Sequence, residues 1–328
     1  MQKSNWVSTI IKRLSGIPAG MILLPLLLGS LVNTLASNAL SIGSYTTALF
    51  SSAGAAPLMA LQLFCIGAQV RLRSVGLVIR RGGVLLAARA TAGLFVALLF
   101  RLLAQDGMIA GISALAAVAA VSNTNGSIFI ATMSLLKRED YAAAAPVLAL
   151  SNGPLLTLLI LGASGVSTFS FLPLLALVLP MLLGILLGNA SQKAADFLAP
   201  GVSLTLPFIG FALGAGIDLR QLWLGGISGL LLAVLALVIG GGIALLFDRV
   251  LNRENGAAGI AASATGANAI AVPAAIALAN PVWRDAAGAA TAQIGVAVIV
   301  GAILVPLLAQ WLSRSHDADT HNDRSLIE

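Results

Sequence analysis

Two short polar stretches interrupt long apolar ones in this chain. The first is Asn123-Thr124-Asn125-Gly126, within AAVSNTNGSIFIA (119–131); the second is SATGANAIAVP (263–273), with Gly266, Asn268 and Pro273. Locally the first reads as a turn, yet its flanks read as buried helix. The side chains of these stretches and of the apolar segments around them are hydroxyls and amides: Ser122, Asn123, Thr124, Asn125, Ser151, Asn152, Thr157, Ser263, Thr265, Asn268 and Gln293. With backbone carbonyls, these are the oxygen types a hard cation takes. Ser122, Asn123, Ser151, Ser263, Thr265 and Gln293 are therefore candidate cation-coupling residues. Asn123, Thr124, Asn125, Gly126, Ser151, Asn152, Thr265 and Asn268 are candidate substrate contacts. Gln62 and Gln69 either face the same cavity or bond to neighbouring helices.

An intramembrane proton carrier is normally Asp, Glu or His, and no apolar span interior holds one. Asp218 ends a span, while His316 and His321 stand in the polar tail. On the residues alone sodium is favoured slightly over a side-chain proton relay, and the ion stays open. Arg89 is the one charged side chain clearly inside a span. Its guanidinium offers a bidentate partner for a substrate carboxylate. The alternative is snorkelling, because the residue lies about 10 Å into its helix.

The elements that must position these groups follow from composition. Of 328 residues, 59% are hydrophobic and 9% charged, with a mean hydropathy of +0.99. A soluble domain carries about 25% charge, so the chain is expected to be an all-α integral membrane protein. Cys65 is the only cysteine, which excludes an intrachain disulfide. The basic N-terminus followed by an apolar run has the form of a signal peptide, but the many spans that follow favour a retained first helix. No zinc site, enzyme cofactor or nucleic-acid surface is expected.

Windows of about 20 apolar residues place ten spans at 17–36, 48–70, 82–104, 107–136, 141–163, 170–189, 199–217, 223–247, 256–279 and 285–312. The segment 1–16 is left as a cytoplasmic N-terminus and 313–328 as a disordered tail. Fourteen of the eighteen Lys and Arg fall on one side of this arrangement, three (Arg101, Arg220 and Arg284) on the other, and Arg89 lies within. The positive-inside rule puts both termini in the cytoplasm. Pro25, Pro154, Pro180 and Pro273 are expected to kink helices, and Gly67, Gly214 and Gly240–Gly242 to serve packing.

Two pieces recur between the halves. LPLLLG at Leu24 matches LPMLLG at Leu179, FCIGAQVRL at Phe64 matches FALGAGIDL at Phe211, and a weaker GISA/GIAA echo links Gly111 with Gly259. The offsets are 155, 147 and 148 residues, in the same order. A period of five spans, being odd, inverts the second copy (166–312) relative to the first (17–165). Inverted repeats with broken helices mark secondary transporters, with half-helix N-termini facing an anion and freed carbonyls a cation.

The stretches IPAGMILLPLLLG, FCIGAQVRL, TNGS, GPLLTLLILGASG, LPFIGFALGAGIDL and GIAASATGANAIAVP resemble the bacterial 2-keto-3-deoxygluconate permease family, in order from Ile17 to Ser313. The resemblance implies a fold like the bile-acid/sodium symporters. Spans one, two, six and seven (17–70 and 170–217) would form a panel. The other six (82–163 and 223–312) would form a core in which spans four and nine cross at their breaks. It also implies cation-coupled uptake of a small sugar-acid anion, usually with protons, and a basic residue at position 89. The chain departs from the family pattern at Ser122, where an Asp is expected, at Ser151, where a Glu is expected, and at Asn268, which replaces a small apolar residue. A passive uniporter or channel, or a symporter of another small carboxylate, remains the rival. A Gly-x-Ser-Gly protease motif at 162–165 lacks a base in any span.

Overall fold

The computed structural model describes residues 20–40, 42–70, 76–104, 107–168, 171–216 and 219–325. Asp218, Arg71, Arg73 and the basic residues of the N-terminus lie outside them. Among the described residues the chain is helical almost throughout, with one two-residue hairpin pairing Met108–Ile109 with Ile112–Ser113. Five apolar helices are long enough to cross a membrane: Ser52–Gln69, Ile79–Leu103, Gln192–Gly214, Gly226–Asn252 and Pro281–Arg314. A sixth is made by Asp140–Ser151 and Pro154–Ala163 if that pair, bent by 60°, is one span. This is an integral membrane protein.

In chain order the first half contributes α1 (Gly20–Ala36), α2 (Ala55–Gln69), α3 (Gly76–Leu103), α4 (Ala114–Ser122), α5 (Gly126–Leu135) and α6 (Pro154–Ala163). The second contributes α7 (Phe171–Ala190), α8 (Gln192–Leu204), α9 (Leu206–Gly214), α10 (Leu219–Leu235) and α11 (Gly242–Phe247). It ends with α12 (Ala257–Ala262), α13 (Val272–Ala279) and α14 (Arg284–Ser325). From α10 to Asn252 the helix is unbroken, passing through π-helical turns at Ala236–Gly241 and Asp248–Asn252.

Glycines set the packing of α1 on α9 and of α2 on α7. A Cβ on Gly29 would meet the Phe211 carbonyl oxygen at 2.3 Å, and one on Gly214 would meet that of Leu26 at 2.0 Å. A Cβ on Gly67 would lie 2.2 Å from the Met181 carbonyl oxygen, and one on Gly184 would lie 2.1 Å from that of Phe64. Backbones approach this closely only where side chains are absent, the usual device for joining helices in lipid. The packing role expected for Gly67 and Gly214 fits these contacts. Gln62 and Gln69 tie the same region together, donating to the carbonyls of Val202 (3.0 Å) and Ala195 (3.0 Å) on α8.

The remaining helices surround α4, whose nine residues are all buried. A helix apolar on every face belongs at the centre of a bundle. It is walled by α3, α6, α10 and α14, and its continuation α5 packs on α12.

Several sequence expectations need correction. The 141–163 span is not a single rod. It breaks at Asn152–Gly153, where Gly153 takes φ +86°, and Pro154 opens α6 instead of kinking a helix. Pro273 likewise stands in the first turn of α13, a position where the missing N–H costs nothing. The eighth span does not stop at 247 but continues as helix to Asn252. The polar tail from Ser313 remains helical to Ser325; it contains no Gly or Pro to stop it.

Candidate functional site

The two polar stretches meet. α4 ends at Ser122, the chain runs extended through Asn123–Asn125, and α5 starts at Gly126. α12 ends at Ala262, and a 3₁₀ turn at Ala267–Ala271 leads into α13. Between the interruptions Thr124 and Thr265 pair as an isolated antiparallel bridge. The Asn125 amide donates to the Ala264 carbonyl (2.7 Å), and the Gly266 amide to that of Asn123 (3.1 Å). These bonds answer the question of where buried irregular backbone finds its partners.

Side chains complete the crossing reciprocally. The Thr124 hydroxyl donates to the Ala262 carbonyl (3.0 Å) at the end of α12, and the Thr265 hydroxyl to that of Ala120 (3.2 Å) in the last turn of α4. Each threonine thus occupies an orphan C-terminal carbonyl of the opposite half-helix. Asn125 caps α5, its Oδ1 accepting from the Ile128 amide (3.2 Å), while its Nδ2 makes a long contact to the Thr265 carbonyl (3.5 Å). Gly126 has open space where a side chain would be.

Ser151 anchors the crossing to the third break. Its hydroxyl donates to the Leu148 carbonyl (2.7 Å) and accepts from the Thr124 amide (3.2 Å). Ser122 and Thr157 share a hydrogen bond (3.0 Å), and Asn123 donates through Nδ2 to the Ala119 carbonyl (3.0 Å) and to Thr157 (3.1 Å). Asn123 Oδ1, fully buried, has no hydrogen-bond partner among the described residues. The Ser263 hydroxyl donates back to the Ile260 carbonyl (2.7 Å).

A small cavity of about 20 Å³ lies beside the crossing, with Gln62, Gly153, Pro154 and Asn268 among its lining residues. Half-buried Asn268 and the start of α6 face it together. A neighbouring apolar cavity of about 280 Å³ shares Met59, Leu63 and Ala275 with it. The smaller space holds about one water.

The other candidates fall elsewhere. Gln293 donates to the Gly111 carbonyl (2.8 Å) and to Ser228 (3.1 Å). α14 passes Thr265 at Gly301, about 12 Å along the helix from Gln293, so Gln293 is not brought to the crossing. Gln69 bonds α8 and does not line the small cavity. Asn152 sits half-buried at the break before α6. Arg89 does not snorkel: it is fully buried, and its Nη2 donates to the carbonyls of Asn123 (3.0 Å) and Ala120 (3.3 Å).

Sequence reasoning missed one carboxylate. Asp248, taken to lie beyond the eighth span, is fully buried. It accepts from the Tyr141 hydroxyl (2.5 Å), Asn252 Nδ2 (2.9 Å) and the Gly259 amide (3.3 Å) in the first turn of α12. Tyr141 is covered by the guanidinium groups of Arg81 and Arg138, which pair with Asp140 and Glu254. This cluster fixes the start of α12 and so the far end of the crossing. The apolar run 244–247 stops at Asp248, and on hydropathy alone a charge there reads as the end of a span.

The family comparison agrees with the resemblance read from the sequence. The family model described as 2-keto-3-deoxygluconate permease matches residues 11–318. The chain belongs to that family. It is 39% identical to 2-keto-3-deoxygluconate permease 1 of Salmonella typhimurium, over 92% of this chain and 95% of the relative. The permease of Xanthomonas oryzae pv. oryzae is 43% identical over 89% and 93%, and that of Dickeya chrysanthemi 38% identical over 92% and 91%. Membership makes this chain a transporter, not an enzyme.

Proposed function

We propose that the chain takes up 2-keto-3-deoxygluconate, or a closely related sugar-acid anion, by cation-coupled alternating access. The observation that carries this reading is the Thr124–Thr265 bridge. Two interrupted helices that meet inside an apolar bundle bring their half-helix ends together where a charged cargo could be held. The names of the relatives supply the substrate class.

In this reading the protein has ten spans in two inverted five-helix repeats. The reciprocal glycine seats support it: Gly29 on Phe211 and Gly184 on Phe64 are the same contact, exchanged between halves. The exchange of threonine hydroxyls supports it too. The glycine-packed helices α1, α2 and α7–α9 form the panel, and the rest form the core. In the same reading the chain lies in a bacterial inner membrane with both termini cytoplasmic, an orientation the Lys and Arg asymmetry supports.

Cargo binds between panel and core at Asn125, Gly126, Asn152 and Asn268, with Gln62 opposite. The cavity there holds about one water, so a sugar acid requires the two parts to separate. The coupling ion, a proton or sodium, uses hydroxyl and carbonyl oxygens around Ser122, Asn123, Ser151, Ser263 and Thr265. One monovalent cation cancels the cost of about 2.3 kcal/mol per 100 mV that opposes entry of a monoanion.

Purified protein in liposomes tests this directly. Labelled 2-keto-3-deoxygluconate should accumulate above its external concentration only when a proton or sodium gradient is imposed. Equilibration without accumulation under either gradient would leave a passive uniporter, the reading favoured by the lack of a carboxylate among the described residues at the crossing.

A further inference from the structure

The two ends of the crossing are matched in their threonines and unmatched in charge. At the end of α12 the Ala262 carbonyl receives the Thr124 hydroxyl. At the end of α4 the Ala120 carbonyl receives the Thr265 hydroxyl and also Arg89 Nη2, which donates to Asn123 as well. Partial negative charge gathers at a helix C-terminus, and here a full positive charge is fixed against it.

The neighbouring helix is shaped to admit this group. A Cβ on Gly240 would stand 2.9 Å from Arg89 Nη1, and Gly240 lies in the π-helical turn Ala236–Gly241. Insertions of this kind re-aim one face of a helix and collect at functional sites. Among the described residues no carboxylate pairs with Arg89. Its Nε and Nη1, both buried, have no hydrogen-bond partner among the described residues. A guanidinium kept unpaired and dry is costly, so a purely structural account leaves the charge unexplained. Arg89 is also absent from the lining of the cavity beside Asn268, which separates it from direct contact with cargo there.

We propose that Arg89 is a tethered cation: its guanidinium permanently fills, at the end of α4, a position that a mobile ion would otherwise occupy. The opposite end, at Ala262 and Ser263, is then the one left for the coupling ion, which narrows the wider oxygen set proposed above to the Ser263 side of the crossing. One exchangeable cation per cycle follows, and with a monoanionic substrate the transport step carries no net charge. The inference about the cycle rests on the transport reading above. The inference that a cation site exists at the end of α4 does not.

Chemical rescue with guanidinium chloride separates the two. In detergent, low-millimolar guanidinium should raise the unfolding temperature of Arg89→Ala by about 2 °C while leaving the parent protein unmoved, as expected for a ligand that binds only the folded state. In liposomes the same variant should lose uptake by about tenfold or more, regain it with guanidinium, and gain nothing from urea at the same concentration. Loss of tight positioning accounts for a drop of that size. Arg89→Lys should keep most of the uptake, because an ammonium retains the charge.

If Arg89→Ala does not insert, Arg89→Lys against Arg89→Gln decides the matter, with uptake kept by the first and lost by the second. Equal uptake by those two variants, or an Arg89→Ala protein whose unfolding temperature and uptake ignore guanidinium, would overturn the proposal. Failure of the parent protein to transport would instead strike the transport reading and leave the unfolding result standing.

Discussion

The glycine-seated helices and the crossing solve the same problem in opposite ways. In lipid, helices gain little from hiding apolar surface from one another. α1 with α9, and α2 with α7, answer with contact between backbones at Gly29, Gly67, Gly184 and Gly214. The helices stay continuous past Pro25 and Pro180. At Thr124 and Thr265 continuity is given up instead, and four hydrogen bonds engage six freed backbone groups across the break. One region is a seam of backbone on backbone. The other buries polar groups inside the bundle, where the proposed transport reading puts the solute.

The contrast can be broken most severely at Gly214. Gly214→Val would drive a side chain into the Leu26 carbonyl; overpacking of this kind costs about 3 kcal/mol. Solubilised protein should then be aggregated or reduced to traces by size-exclusion chromatography. The crossing should respond differently. Asn125→Ala removes a cap worth about 1 kcal/mol, so the protein should insert and stay monodisperse, yet uptake should fall about a hundredfold from misplacement of the break. Thr265→Ala should behave alike in the same assay, and unchanged uptake in both would remove the crossing from the site.

Asp248→Asn probes the support of the crossing and not its surface. The amide keeps the volume but turns one acceptor into a donor facing the Tyr141 hydroxyl or the Gly259 amide. A lost buried hydrogen bond is worth about 1 kcal/mol. Uptake should drop several-fold, about three- to tenfold, with faster hydrogen exchange confined to the start of α12. The smallest effect is expected at Gly242, where a Cβ would meet nothing within 4 Å. Gly242→Ala should match the parent in both uptake and unfolding temperature.

How much of this was legible in the sequence depended on contrast with the surroundings. Asn123–Gly126 and Gly266–Asn268 stood out because turn residues are conspicuous inside apolar runs, and their pairing followed from the LPLLLG and F-x-x-G-A repeats. The break at Asn152–Gly153 was hidden, since a proline following glycine reads equally well as a kink or a start. Asp248 was hidden because charge marks a span's end on hydropathy alone. Only tertiary partners, Tyr141 and the Gly259 amide, allow the helix to carry that charge inward. Gln293 was misplaced for the converse reason: an amide in an apolar helix signals a partner but does not say which one. The Gly240–Gly242 run, read as packing, divides in the structure, with Gly240 beside Arg89, Gly241 beside Ser263 and Gly242 open.

The crossing as the place where cargo is held can be tested by binding alone, without a gradient or a vesicle. Titrating 2-keto-3-deoxygluconate into purified parent protein and into Asn125→Ala, with unfolding temperature as the readout, isolates that claim. The account predicts a rise of about 2 °C or more in the parent at saturation and none in the variant. An equal rise in both would place the ligand elsewhere and contradict it.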